Sequence, residues 1–282
     1  MRRIAFYKMT GSGNDFVMLD GRTAAPGAWS QAAIAAVCDR RNGVGADGLV
    51  ILAPEAGGVR MTYWNADGGR AAMCGNAALC SARLAATLGL APAGAVTLLT
   101  DAGVVQARAL DGALAEIRLP DAPLPVAAAV PPAPGERVLW LGTVGVPHLV
   151  VLVDDVATVD VAARGRELRW HPAAGPTGAN ANFVSPPRAA GGPWRIRTFE
   201  RGVEGETLAC GTGTVAAALA LAAHCGTGLP LSFQSWGGPI LTVRAQIAGG
   251  MAADLWLGGQ GRLVFQGVWE GGGFSTTGTS RD

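Results

Sequence analysis

The sequence has almost no lysine: of its 22 Lys and Arg residues, only Lys8 is a lysine. A pyridoxal-phosphate enzyme needs a lysine for its Schiff base. Lys8 lies in a strand-like stretch close to Met1, so no cofactor is expected. Charge is scarce too. Charged residues make up 15% of the 282-residue chain, against a usual ~25%. The 22 basic and 21 acidic residues leave a net charge of +1. With no basic cluster to neutralise phosphates, nucleic acid is not an expected partner. No apolar run reaches the ~18–20 residues that span a bilayer. The longest, Val215 to Ala223, stops at His224 and Cys225, so no membrane partner is expected. Residues 1–8 lack the apolar core and cleavage site of a secretory signal. Five cysteines, an odd number, without such a signal point to reduced thiols and a cytoplasmic location. The cysteines and three histidines show no Cys-x-x-Cys or His-x-x-x-His spacing, so no metal site is expected.

Glycine is abundant, with 42 residues, about twice the usual share. Much of it falls in a repeated pattern. The strand-like Met61-Thr62-Tyr63-Trp64-Asn65 leads through a Gly-rich loop to Cys74-Gly75-Asn76. Likewise Arg197-Thr198-Phe199-Glu200-Arg201 leads to Cys210-Gly211-Thr212. An Ala/Leu-rich segment follows each, 77–88 before Gly89 and 214–225 before Gly226. Two strand-like stretches come next in both cases, Val96–Leu99 with Gly103–Leu110, and Leu231–Gln234 with Ile240–Ala245. Upstream, Asn14–Asp20 resembles Pro147–Asp154. The pattern is an internal duplication. Its boundary falls in the Pro/Ala-rich stretch 120–134. The expected halves are residues 1–122 and 123–265, with about 266–282 returning to the first, and the tail beyond Glu270 is expected to be disordered.

The segment 77–88 has one charge, Arg83, and Thr214–Ala223 has none. A helix that is apolar all round is buried on all sides. The expected fold class is therefore α+β: two pseudo-symmetric domains, each a curved, mostly antiparallel sheet wrapped around a buried central helix. In both copies Cys-Gly-polar marks the helix start, with Asn76 and Thr212 as cap candidates. Free N–H groups and the macrodipole make such an end an anion site. The same field favours thiolate over thiol. Two such starts converging on a pseudo-twofold axis would hold a carboxylate between two cysteines. One thiolate could then remove a proton from one face of a carbon while the opposite thiol supplies another.

The stretches Lys8-Met9-Thr10-Gly11-Ser12-Gly13-Asn14-Asp15-Phe16, Gly43-Val44-Gly45-Ala46-Asp47-Gly48, Asn65-Ala66-Asp67-Gly68, Met73-Cys74-Gly75-Asn76 and Glu200 to Gly213 resemble the diaminopimelate epimerases. The likeness spans roughly residues 4–270, and the two Cys-Gly motifs together with the Glu-Arg-Gly run are specific. It implies cofactor-independent interconversion of LL- and meso-2,6-diaminopimelate, in lysine and cell-wall precursor biosynthesis, with Cys74 and Cys210 as the two acid/base residues. By the same likeness Asn14, Asn65, Asn180, Glu200 and Arg201 hold this small-molecule amino-acid substrate. Gly75, Asn76, Gly211 and Thr212 offer backbone N–H groups to the reacting carboxylate, and the protein is a homodimer. His148 is a candidate for tuning a thiol from behind, or a plain polar loop residue.

Three departures stand out. Gly145-Val146-Pro147-His148 replaces the Gly-Asn-Pro-His often found in the family, and Arg70 stands where an acidic residue is common. Glu204 is an extra residue in some alignments of the Glu-Arg-Gly loop. Val146 motivates the alternative, a racemase or epimerase of the same fold acting on another amino acid. A dithiol redox protein and a pure binding module are the rivals from other classes. Cys38, Cys80 and Cys225 are expected to be small buried hydrophobes.

Overall fold

The computed structural model describes residues 3–270, so the tail expected to be disordered lies outside the described residues. Short β-branched and aromatic runs separated by Gly, Asp and Pro turns form strands. Residues 3–117, with 260–270, make one compact unit, and residues 118–259 make another. The first contains β1 (Ile4–Gly11), β2 (Asn14–Asp20), α1 (Gln31–Cys38), β3 (Gly48–Glu55), β4 (Gly58–Asn65), β5 (Arg70–Ala71), α2 (Gly75–Thr87), β6 (Val96–Thr100), β7 (Gly103–Ala109) and β8 (Leu114–Arg118). The second contains β9 (Ala122–Pro123), β10 (Val126–Ala127), β11 (Glu136–Val144), β12 (Val146–Val153), α3 (Val161–Arg169), β13 (Asn180–Ser185), β14 (Trp194–Glu200), β15 (Gly205–Thr207), α4 (Gly211–His224), β16 (Leu231–Ser235), β17 (Ile240–Ala248) and β18 (Met251–Gln260). The last strand, β19 (Arg262–Trp269), pairs antiparallel with β1. The Pro/Ala-rich stretch holds only the two-residue strands β9 and β10.

Both units use one pairing scheme, so the duplication extends to the backbone hydrogen bonds. In the first, β1–β2, β3–β4, β4–β5 and β6–β7 are antiparallel, while β2–β3 and β4–β6 are parallel. In the second, β11–β12, β13–β14, β14–β15 and β16–β17 are antiparallel, while β12–β13 and β14–β16 are parallel. The antiparallel majority matches the expected class. The parallel pairs arise where α1 or α3, and then α2 or α4, carry the chain across.

Each central helix is buried within its own unit. α2 packs on β1, β6 and β7, and its residues 76–82 are all buried. α4 packs on β11, β12, β13 and β17, with 213–221 buried. The alanines give high helix propensity and let the strands approach closely. Each helix is followed, after one capping residue, by a glycine with positive φ: Gly89 at 67° and Gly226 at 66°. That left-handed conformation ends a helix at little cost for glycine.

The starts differ from expectation. The N-caps are Cys74 and Cys210 themselves, and Asn76 and Thr212 sit inside the first turn rather than capping it. The extended backbone of the cysteines, with φ −138° and −125°, brings the helix in two residues early. Neither cysteine makes a side-chain capping hydrogen bond, and the first-turn N–H groups have no intrahelical partner, as at any helix start. Among the described residues no helix is long and apolar enough to cross a membrane.

Candidate active site

In the first unit the Cys74 helix start is set against β1, β2 and β4. Close packing of β1 requires glycine: a Cβ on Gly11 would lie 2.4 Å from the Asn76 carbonyl oxygen and 2.9 Å from Cys80 Sγ. Asn76, nearly buried, donates to Asn14 Oδ1 at 2.7 Å, and Asn14 in turn donates to Asp47 Oδ2 at 2.9 Å. Arg40 bridges Asp15 and Asp47, while Lys8 donates to Asp15 and to the Gly45 carbonyl. Burial alone would raise the Asp15 carboxyl, but hydrogen bonds from Arg40 and Lys8 outweigh it and hold it at about 2. The lone lysine is thus a buried fastener in the network behind Asn14. Cys74 is half-buried. The exposed Asn65 accepts a hydrogen bond from the Tyr63 hydroxyl at 2.9 Å.

In the second unit the site residues gather along β12, β13 and the loop after β14. Asn180, nearly buried, accepts from the Arg201 backbone N–H at 2.7 Å, which fixes its amide. Its Nδ2 therefore faces His148 Nδ1, at 3.4 Å, beside the Asn182 Nδ2 at 3.3 Å. Asn182 also donates to the Leu149 carbonyl and accepts from the Thr198 hydroxyl. Amide donors on Nδ1 leave the imidazole hydrogen on Nε2. Burial pushes His148 down to about 4, with the Arg201 charge acting the same way and the Val144 carbonyl opposing.

Cys210 is buried, with the Thr212 hydroxyl 3.7 Å from its sulfur. A Cβ on Gly213 would lie 2.1 Å from Asn182 Oδ1 and 3.2 Å from Cys210 Sγ, so glycine is needed there to seat the thiol beside that amide. The expectation that a helix start lowers the thiol pKa fails at Cys210. Burial, reinforced by Glu200, pushes it up to about 12 against the pull of the Gly213 and Thr212 N–H groups and the Thr212 hydroxyl. Desolvation outweighs the helix field here. Glu200 is raised by its own burial, offset in part by the Thr207 hydroxyl.

The structure thus joins Asn14 with Asn76, Asn65 with the strand bearing Tyr63, Asn180 with His148 and Arg201, and Cys210 with Thr212 and Glu200. Gly75, Gly211 and Thr212 are half-buried in the first turns of the helices. Cys38 and Cys80 are buried as expected, and burial raises both thiols, Cys38 to about 11. Cys225 is exposed, contrary to expectation, because it caps the end of α4 rather than continuing its buried face. Sequence reading missed Asp47, Arg40, Asn182 and Tyr63. Asp47 lies within a quoted motif and Arg40 three residues before that motif begins, whereas nothing in the sequence marks Tyr63.

Solved structures share this architecture. The chain aligns over 95% of its length with a hydroxyproline epimerase from Agrobacterium vitis, covering 92% of that chain, at TM-score 0.61 and 18% identity. It aligns equally far with a PhzF-family phenazine biosynthesis protein from Bacillus anthracis, covering 99% of that chain, at TM-score 0.69 and 13% identity. At such identities the likeness defines the fold alone, a duplicated α+β fold with a Cys-capped central helix in each half of this chain. Sequence comparison defines the family. The diaminopimelate epimerase model matches residues 6–114 and 141–248. A diaminopimelate epimerase from Gemmatimonas aurantiaca is 45% identical over 94% of this chain and 98% of its own. Another, from Methanocella arvoryzae, is 40% identical over 77% of this chain and 81% of its own. The protein belongs to the diaminopimelate epimerase family, a family of isomerases.

Proposed function

We propose that the protein interconverts LL- and meso-2,6-diaminopimelate without a cofactor, and that Cys74 and Cys210 are its two acid/base groups. The observation that carries this reading is the matched pair of cysteine N-caps on buried helices. One sulfur, as thiolate, takes the α-hydrogen as a proton. The electron pair left on carbon delocalises into the carboxylate, and the other sulfur, as thiol, delivers its proton to the opposite face. The first-turn N–H groups of Gly75, Asn76, Gly211 and Thr212 stabilise the charge that develops on that carboxylate. Asn14, Asn65, Asn180, Glu200 and Arg201 orient the rest of the substrate. Asn180 does so through the Arg201 backbone it holds. With Cys210 held at about 12, its proton rests on the sulfur at neutral pH, so Cys210 is ready to act as the donor.

The enzyme works in the cytoplasm as a homodimer. The final strand favours self-association: Leu263, Val264, Phe265 and Val268 are all at least 40% exposed, a run of apolar side chains that soluble surfaces seldom leave open.

Val146, half-buried next to His148, favours one second reading, a racemase for another amino acid. Purified protein incubated separately with LL-diaminopimelate, L-proline and 4-hydroxyproline distinguishes them by chromatography of the stereoisomers. Formation of meso-diaminopimelate, with the prolines unchanged, is expected. Inversion of a proline without turnover of diaminopimelate would establish the second reading instead.

A further inference from the structure

Tyr63 lies on β4, two residues before Asn65, so both side chains project from the same side of the strand. It is 7% exposed. Its ring is fixed on two sides. Phe16 meets it edge-on, with centroids 6.1 Å apart and planes at 79°. On the other side is Gly48, where a Cβ would lie 2.6 Å from the ring's Cε2, 3.2 Å from Oη and 2.4 Å from the Trp64 carbonyl oxygen. Only glycine at 48 leaves room for this tyrosine. The hydroxyl held there has two partners: it hydrogen-bonds the Cys74 thiol and donates to Asn65 Oδ1 at 2.9 Å.

A phenol has one hydrogen, so these two bonds constrain each other. While the hydrogen points to Asn65, Tyr63 Oη can only accept from Cys74, which must then be S–H. When Cys74 is a thiolate, the phenolic hydrogen turns to the sulfur and Asn65 Oδ1 is released.

We propose that Tyr63 is a positioning residue that supplies this switchable hydrogen bond, stabilising the Cys74 thiolate and linking its charge to the orientation of Asn65. The inference rests on the reading of Cys74 as an acid/base group. The groups facing the pair are Asp47, Cys38 and Cys74 around the hydroxyl, and Cys80 beside Cys74. Burial, with those neighbours, raises the phenol above its ordinary range, so Tyr63 keeps its hydrogen wherever the thiol titrates. The second unit has no such tyrosine. At the place in β12–β13 that corresponds to Phe16 and Gly48, it pairs His148 with Asn180.

The test is Tyr63→Phe, which retains the ring and loses only the hydroxyl. Iodoacetamide alkylation of Cys74, followed by peptide mass across a pH series, reads thiolate formation directly. A hydrogen bond to a charged group is worth about 1.5–3 kcal/mol, so the alkylation midpoint of Cys74 should rise by about one to two pH units. The Cys210 midpoint should stay fixed, and kcat/KM should fall by about 10–100-fold. A folded Tyr63→Phe protein with an unchanged Cys74 midpoint would overturn the proposal. A shifted midpoint in a protein whose wild type does not turn over diaminopimelate would leave the Tyr63 assignment standing and sink the functional reading. Should the variant fail to fold, the wild-type chain offers a second measurement, because it contains only two tyrosines, Tyr7 and Tyr63. With 3-fluorotyrosine incorporated, alkylating Cys74 should move one of the two fluorine resonances, and no movement of either would overturn the proposal.

Discussion

Cys74→Ala and Cys210→Ala should each lose about 10²–10⁴-fold or more in kcat/KM, the range that a positioned acid or base contributes. The loss should be equally severe for the two variants, since one group must accept the proton and the other must donate it. Neither change should unfold the protein. Each cysteine occupies an N-cap without a side-chain capping bond, so the backbone of the helix start does not depend on the sulfur. Thermal unfolding should therefore shift by only a few degrees, about what a surface-to-moderate substitution costs. Binding of an unreactive substrate analogue, measured by calorimetry, should persist. Near-wild-type turnover in either variant would remove that thiol from the mechanism.

Acid should destabilise the protein through His148 at a pH well above that at which Asp15 titrates. His148 is neutral in the fold, pushed down to about 4 by burial from an ordinary 6.5. Between those values the unfolded chain binds a proton that the folded chain does not. Stability from this group is complete above about 6.5 and declines as pH falls toward 4. At about 1.4 kcal/mol per pH unit, the loss amounts to roughly 3 kcal/mol. Asp15, depressed to about 2 from 3.8, acts only below that window. Cys210 acts at the other extreme: raised to about 12 from 9, it costs stability as pH rises above 9. Urea unfolding at several pH values between about 4 and 7 measures the effect. His148→Gln should flatten the profile in that interval. A wild-type profile as flat as the variant's would mean that His148 is not held neutral.

The sequence made the duplication legible because its punctuation is local. Two Cys-Gly contexts, two Ala/Leu runs with almost no charge and the two glycines that stop them all fall within about thirty residues of each other in each half, and the structure repeats them strand for strand. The helix starts were misread because Asn76 and Thr212 are better caps by type than cysteine. Extended backbone at Cys74 and Cys210 overrode that preference. The raised thiol of Cys210 could not be read either, since a helix start predicts the opposite direction and only the depth of burial reverses it. Tyr63 escaped for a related reason. A tyrosine in an apolar strand reads as core, and its contact with Cys74 exists only because Gly48, fifteen residues away, leaves the ring its place. The Lys8, Arg40 and Asp47 network is similarly long-range: Lys8 and Asp47 lie inside recognisable motifs and Arg40 outside them, but their bonds to one another and to Asp15 and Asn14 appear only in the fold.

The central claim is that two different thiols handle the two faces of one carbon. Isotope exchange in deuterated water tests it most directly, by following LL-diaminopimelate to low conversion with mass spectrometry and NMR. Two thiols predict that meso product carries deuterium at the inverted α-carbon, because the donated proton comes from a solvent-equilibrated sulfur, while recovered LL substrate carries little. Meso product that retains its original α-hydrogen would contradict the account, for a single base would then have carried the same proton from one face to the other.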